Sequence, residues 1–199
     1  MAKRSIAWVK DDQHGAEFAD VLISRGRLTA AGIAIGFSPI PYRIDYKLET
    51  RDHFVTSGLL VDARGEGWSR RLDLRRHFSG RWTAQTRGRG TVDMPAPGGE
   101  MSTFRDALDC DLALSPLTNS MPVLRHGLLS GGGPIDFVMA WVSVPDLSVH
   151  VSAQRYTFLR RDGDRSVVRY ESASRDFVAE LVFDSDGLAI AYPGIGRQV

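Results

Sequence analysis

The chain has 199 residues, 43% of them hydrophobic and 25% charged, with a formal net charge of +1. A chain of this length is expected to form one domain over residues 1–199 around a core that needs no staples. The near-neutral balance excludes a protein that coats nucleic acid or an anionic bilayer with its whole surface, and the single cysteine, Cys110, excludes an intramolecular disulfide.

At the amino terminus the apolar stretch 6–9 ends at Lys10 and Asp11, too soon for the core of a signal peptide. Ala2 stands where N-myristoylation requires glycine. No run approaches the roughly 20 apolar residues of a transmembrane helix. A cytoplasmic protein without a transmembrane segment is therefore expected.

The dominant rhythm further along is alternation. In Tyr42-Arg43-Ile44-Asp45-Tyr46-Lys47-Leu48-Glu49 the even positions are apolar or aromatic and the odd ones charged, which predicts a strand with one buried and one wet face. Seven arginines fall in 70–89 beside Trp68, His77, Phe78 and Trp82. Basic residues among aromatics can hold phosphates or lie in a membrane interface, but Arg71, Asp73 and Arg75 alternate with Leu72 and Leu74, as a solvated strand face does. Nucleic-acid binding is not expected, because no recognition motif accompanies the patch. Residues 87–99, rich in glycine and proline, read as a long loop. A short helix is predicted over 103–108, with Phe104 and Leu108 four apart.

Leu108, Cys110, Leu112 and Leu114 then alternate with Asp109 and Asp111, a strand on which the two aspartates share a face that is either a carboxylate pair or a solvated edge. Cys110, set among the leucines, reads as a small buried hydrophobe. In 115–125, Pro116 and Pro122 fix the backbone while Thr118, Asn119 and Ser120 can satisfy local polar groups, so a defined non-strand turn is expected. Gly131, Gly132 and Gly133 mark a second loop. Pro145-Asp146 separates two apolar runs, a hairpin pattern. Gln154 and Tyr156 share one strand face. Asp162-Gly163 and Asp186-Gly187 sit between strand-like runs and predict tight turns in a meander. Asp184-Ser185-Asp186-Gly187 has the start of a calcium loop but runs into Leu188 without the closing glutamate, so a hairpin turn is expected. Many strands and little helix predict an all-β fold built on an antiparallel sheet, rolled or closed.

Asp109-Cys110-Asp111 followed by Ser115-Pro116-Leu117-Thr118-Asn119-Ser120-Met121-Pro122-Val123-Leu124-Arg125 resembles the signature of the bacterial putative glycolipid-binding family. Supporting matches lie at Gly15-Ala16-Glu17, Tyr42-Arg43-Ile44-Asp45-Tyr46, Gly80-Arg81-Trp82, Gln154-Arg155-Tyr156-Thr157, Asp186-Gly187 and Tyr192-Pro193. Ser115, Leu117, Ser120 and Met121 replace the expected Thr, Phe, Thr and Leu with like character, and Phe18 stands where the pattern has histidine. The resemblance implies one antiparallel sheet rolled into a spiral β-roll or half-open barrel, similar to bacterial lipoprotein carriers, and implies no reaction.

Candidate ligand-binding residues are Tyr42, Arg43, Tyr46, Trp82, Asn119, Arg125, Gln154 and Tyr156. Asn119 and Arg125 either brace the turn or project into a cavity, where the arginine fork suits a sugar or phosphate head. Gln154 and Tyr156 are either a satisfied core pair or polar anchors in an apolar pocket. His14, His53, His77, His126 and His150 occur singly, without metal-ligand spacing, and no nucleophile elbow, phosphate loop or dinucleotide fingerprint occurs. No metal and no cofactor are expected. The expected partner is a glycolipid or acyl-bearing small molecule, bound without catalysis. An enzyme acting on a lipid or sugar conjugate and a protein-binding scaffold are the alternatives.

Overall fold

The computed structural model describes residues 1–11 and 14–199. Its strands are β1 (Ala2–Lys10), β2 (Ala16–Ser24), β3 (Arg27–Gly36), β4 (Tyr42–Thr50), β5 (Thr56–Gly65), β6 (Trp68–Arg76), β7 (Trp82–Arg89), β8 (Asp109–Leu112), β9 (Ile135–Val142), β10 (Val149–Asp162), β11 (Arg165–Ser172), β12 (Phe177–Phe183), β13 (Ala189–Tyr192) and β14 (Gly196–Gln198). Among the described residues they form one 14-stranded sheet in the order β7-β6-β5-β4-β3-β2-β1-β14-β13-β12-β11-β10-β9-β8. Two meanders thus meet where the first strand pairs with the last. The sheet stays open, because β7 and β8 end it without pairing to each other.

The roll comes from the way its ends fold inward. The Thr56 N–H donates to Leu108 O at 3.1 Å and the Cys110 N–H to Thr56 Oγ1 at 3.1 Å, so β8 lies under β5, far from it in sheet order. Between β8 and β9 the chain makes a 3-10 turn, Pro116–Asn119, and a short helix α1, Ser120–Arg125. Leu117, Met121 and Val123 there are fully buried, and the segment fills the interior of the roll. Around it, Ile6, Trp8, Leu28, Leu48, Leu59 and Leu72 belong to one apolar cluster and Tyr156, Tyr170, Leu181 and Phe183 to a second.

The alternation at 42–49 corresponds to β4, with Tyr42, Ile44, Tyr46 and Leu48 inside. Tyr46 faces Gly32 across the β3–β4 ladder and Tyr42 faces Gly36. Each ring covers its glycine: a Cβ at Gly32 would come within 2.4 Å of the Tyr46 ring. Gly32→Val is therefore expected to destabilise the fold by about 1–3 kcal/mol through overpacking, read as a lower urea midpoint. An unchanged midpoint would mean that the tyrosine swings aside freely.

Two expectations need correction, and one open alternative is decided. The sheet is not wholly antiparallel: β8 pairs with β9 in parallel, which the crossover through the interior segment makes possible. The helix expected at 103–108 is instead a 3-10 turn, Met101–Phe104. Of the two readings of the aspartate face of β8, the solvated edge is ruled out, since all four residues of the strand are buried: one face packs on β5 and the other on the interior segment and β10, with Asp111 reaching the wall of a cavity. Asp184 closes a hairpin turn, its Oδ1 accepting from the Asp186 and Leu188 N–H groups at 3.0 and 2.9 Å. No helix of the described residues is long and apolar enough to cross a membrane.

Candidate functional site

Asp111 is the centre of the most polar buried cluster. Its Oδ1 accepts from Thr118 Oγ1 at 2.9 Å and its Oδ2 from Gln154 Nε2 at 2.6 Å. The Tyr156 hydroxyl lies 2.8 Å from Asn119 Oδ1 and 3.1 Å from Gln154 Oε1, and with one proton it donates to one of them at a time. Three predicted residues, Asn119, Gln154 and Tyr156, are therefore brought together around a carboxylate. They reach it because the 3-10 turn carries Thr118 and Asn119 inward while β10 projects Gln154 and Tyr156 from one face.

A cavity of about 200 Å³ opens beside this cluster, lined in part by Asp111, Ser115, Asn119, Trp141, Arg175, Phe177 and Tyr192. The Arg175 guanidinium is only loosely paired with the carboxylate, 3.9 Å from Asp111 Oδ2. It is held from behind: its Nε donates to Ser172 Oγ at 3.1 Å, its Nη2 to the Tyr170 hydroxyl, and its Cζ lies 5.0 Å from the centroid of the Trp141 ring. Tyr192 and Phe177 lie 6.0 Å apart at the other wall. Burial pushes the Asp111 carboxyl above its ordinary value, opposed by Arg175, Gln154 and Thr118. Burial pushes the Tyr170 phenol up to about 12, with Asp111 adding to the shift, and raises the Tyr156 phenol well above its ordinary value, so both are neutral hydrogen-bonding groups at physiological pH.

The remaining predicted residues lie elsewhere. Arg125 closes a bidentate fork on buried Asp109, Nη1 donating to Oδ1 at 2.8 Å and Nη2 to Oδ2. Its guanidinium is thereby occupied and does not line the cavity. Burial raises the Asp109 carboxyl and the Arg125 charge opposes that rise. Trp82 is buried, its Nε1 donating to Ala107 O at 3.1 Å. Arg43 is on the outer face of β4, bound to Asp45 at 2.7 Å, opposite to Tyr42 and Tyr46.

Those two tyrosines face a second polar centre, Glu17. Glu17 Oε1 accepts from Tyr46 at 2.7 Å and from Ser115 at 2.6 Å, and its Oε2 pairs with Lys10 Nζ at 2.9 Å. Lys10 also donates to Leu114 O. Burial, with Glu17 close by, pushes the Tyr42 phenol up to about 12. This clasp pins residues 114 and 115, which wall the cavity. Phe18, where histidine was expected, points outward and is exposed, so its neighbour Glu17 carries the polar work of that corner.

Sequence reasoning missed Glu17, Lys10, Trp141, Arg175, Phe177 and Tyr192. Glu17 and Tyr192 lie inside quoted matches, and the aspartate pair was weighed; Lys10, Trp141, Arg175 and Phe177 carry no spacing signal relative to the 115–125 signature.

The model of a family described as putative glycolipid-binding matches residues 5–198. A crystal structure of a DUF1089 family protein from Pseudomonas aeruginosa is similar at 24% identity and a TM-score of 0.70, over 96% of this chain and 95% of that one, a likeness of fold. No curated protein matches the chain. With the signature 115–125 buried at the centre of the roll and the family pattern running nearly end to end, the chain belongs to the putative glycolipid-binding family.

Proposed function

We propose that the chain binds the sugar head of a glycolipid or related amphiphile in the Asp111 cavity, without catalysis, and leaves the apolar tail outside. The observation that carries this reading is the loosely paired Asp111 and Arg175 set between aromatic walls. A carboxylate accepts from sugar hydroxyls, a guanidinium donates to them, and the faces of Trp141, Phe177 and Tyr192 suit the apolar side of a pyranose ring. Size limits the occupant. At about 200 Å³ the cavity lies below the roughly 300–1,000 Å³ of pockets for larger ligands. A single sugar ring is of that scale, and the chain's own side chains, Leu117, Met121 and Val123 among them, occupy the interior of the roll.

Alkyl glycosides titrated against the protein are expected to change Trp141 emission, and Asp111→Leu is expected to abolish the response. Binding that survives Asp111→Leu would sink the reading. A pH series gives a second check. The carboxylate form is the acceptor, so affinity is expected to fall as the pH drops through the raised Asp111 value, which lies above 3.8. Folding runs the other way: a raised native carboxyl makes the protonated form the stabilising one, present in full below the unfolded value and lost as pH rises through the native one. Through Asp111, affinity and stability therefore move in opposite directions, and affinity lost in that window is not unfolding.

A further inference from the structure

The hairpin turn between β6 and β7 is unused by the cavity. It lies at the end of the roll where β4 leaves and β5 enters, opposite to the Glu17 clasp. Its tip is Phe78, 94% exposed, more than any other large apolar side chain described except the terminal Met1. A lone bare ring is ordinary on a surface; what singles this one out is the charge set around it. The ring is also held in place. The Arg51 guanidinium sits 4.6 Å from its centroid and donates to His77 O at 3.0 Å, while the His77 N–H donates to Arg81 O at 2.8 Å and closes the turn.

Beside the tip is a cleft of about 550 Å³ lined by Ser79, Gly80, Arg81, Trp82, Met101, Ser102 and Arg105. Arg81 and Arg105 are exposed, and among the described residues neither forms an ion pair or a side-chain hydrogen bond. Arg76 adds a third charge, its Nε bound to Ala107 O at 2.9 Å. Against these stand Asp106 and Glu100, the latter taken up by Ser102 Oγ at 2.7 Å. The tip is thus an apolar ring in a net basic collar, on a chain of formal charge +1, so the positive field is local.

We infer that this turn docks the protein on an anionic bilayer surface, with Phe78 entering the interface and Arg81 and Arg105 meeting lipid phosphates across the cleft. Charge complementarity selects the occupant: a net basic collar is drawn to an anionic leaflet, and a ring at its centre adds area that a soluble polyanion would not bury. The surface is distinct from the Asp111 cavity, so either reading can fail alone.

Vesicle co-sedimentation tests it with the full chain. Binding is expected to vesicles of phosphatidylcholine with phosphatidylglycerol, to be weak on phosphatidylcholine alone, and to fall sharply in 0.5 M NaCl as screening sets in. Phe78→Ala is expected to lower partitioning about tenfold, and Arg81→Gln or Arg105→Gln roughly fivefold each. Both arginines and Phe78 are exposed, and an unchanged circular dichroism spectrum verifies that each variant is folded. Phe78→Trp is expected to show a blue-shifted emission on the anionic vesicles. Equal sedimentation of wild type and Phe78→Ala, no preference for the anionic vesicles, or binding to a single-stranded oligonucleotide without binding to vesicles would each overturn the inference.

Discussion

Replacing Arg125 by methionine is expected to cost about 3–5 kcal/mol of folding stability, a large share of the 5–15 kcal/mol that holds a typical domain. The cost arises from what the substitution leaves behind. Asp109 is wholly buried, and both its oxygens accept from the Arg125 fork. Without that fork the carboxylate has neither water nor a counter-charge. The double variant Asp109→Leu with Arg125→Met is expected to recover most of the loss, because a well-packed apolar pair is often as stable as the buried ion pair it replaces. The single variant should also regain stability as the pH falls and Asp109 takes up a proton, since a carboxyl raised in the folded state stabilises when protonated. Urea denaturation at two pH values reads all three. A single variant within about 0.5 kcal/mol of wild type would show that Arg125 is free to serve a ligand, as the sequence-based alternative had it.

Glu17→Ala is expected to produce a second effect of similar size, about 3–5 kcal/mol, together with a loss of sugar affinity at a residue that does not line the cavity. Glu17 and Lys10 are nearly free of solvent, so removing the carboxylate strands a buried ammonium and leaves Tyr46 and Ser115 without their acceptor. The clasp also fixes the stretch at Leu114 and Ser115 that forms one wall of the cavity. Glu17→Gln separates the two roles. It keeps an acceptor for Tyr46 and Ser115 but removes the counter-charge of Lys10, so it should lose stability while retaining more of the affinity than alanine does. Affinity unchanged in Glu17→Ala, measured where the variant is still folded, would show that the wall stands without its clasp.

The sheet was legible from the sequence where alternation and turn residues agree. The pattern at 42–49 marks β4 and its buried face, and Asp162-Gly163 and Asp186-Gly187 lie at the turns that join β10 to β11 and β12 to β13. At β8 the same logic found the strand but not the setting of its charged face. Alternation tells which side chains share a face, but it left open whether the two aspartates form a carboxylate pair or a solvated edge. Asp109 and Asp111 are buried against Arg125 and Gln154, partners that only the folded crossover brings near. The signature at 115–125 was legible as a defined turn, but not as the filling of the roll. Asn119, Gln154 and Tyr156 do converge, whereas the groups that make a cavity beside them come from distant positions. Arg175 follows β11 in a single 3-10 turn, Ala173–Arg175, and Tyr192 ends β13. No short-range spacing ties either to Asp111: Tyr192 stood in a quoted match without a role, and Arg175 is found only through the sheet order.

Native mass spectrometry of the protein purified from its own source cells tests the central claim most directly, with wild type and Asp111→Leu compared side by side. Wild type is expected to retain a stoichiometric sugar-bearing amphiphile that fragmentation identifies, and Asp111→Leu to fly as the bare chain. A bare wild-type chain across several growth conditions, or the same adduct retained by both proteins, would contradict a headgroup site at Asp111.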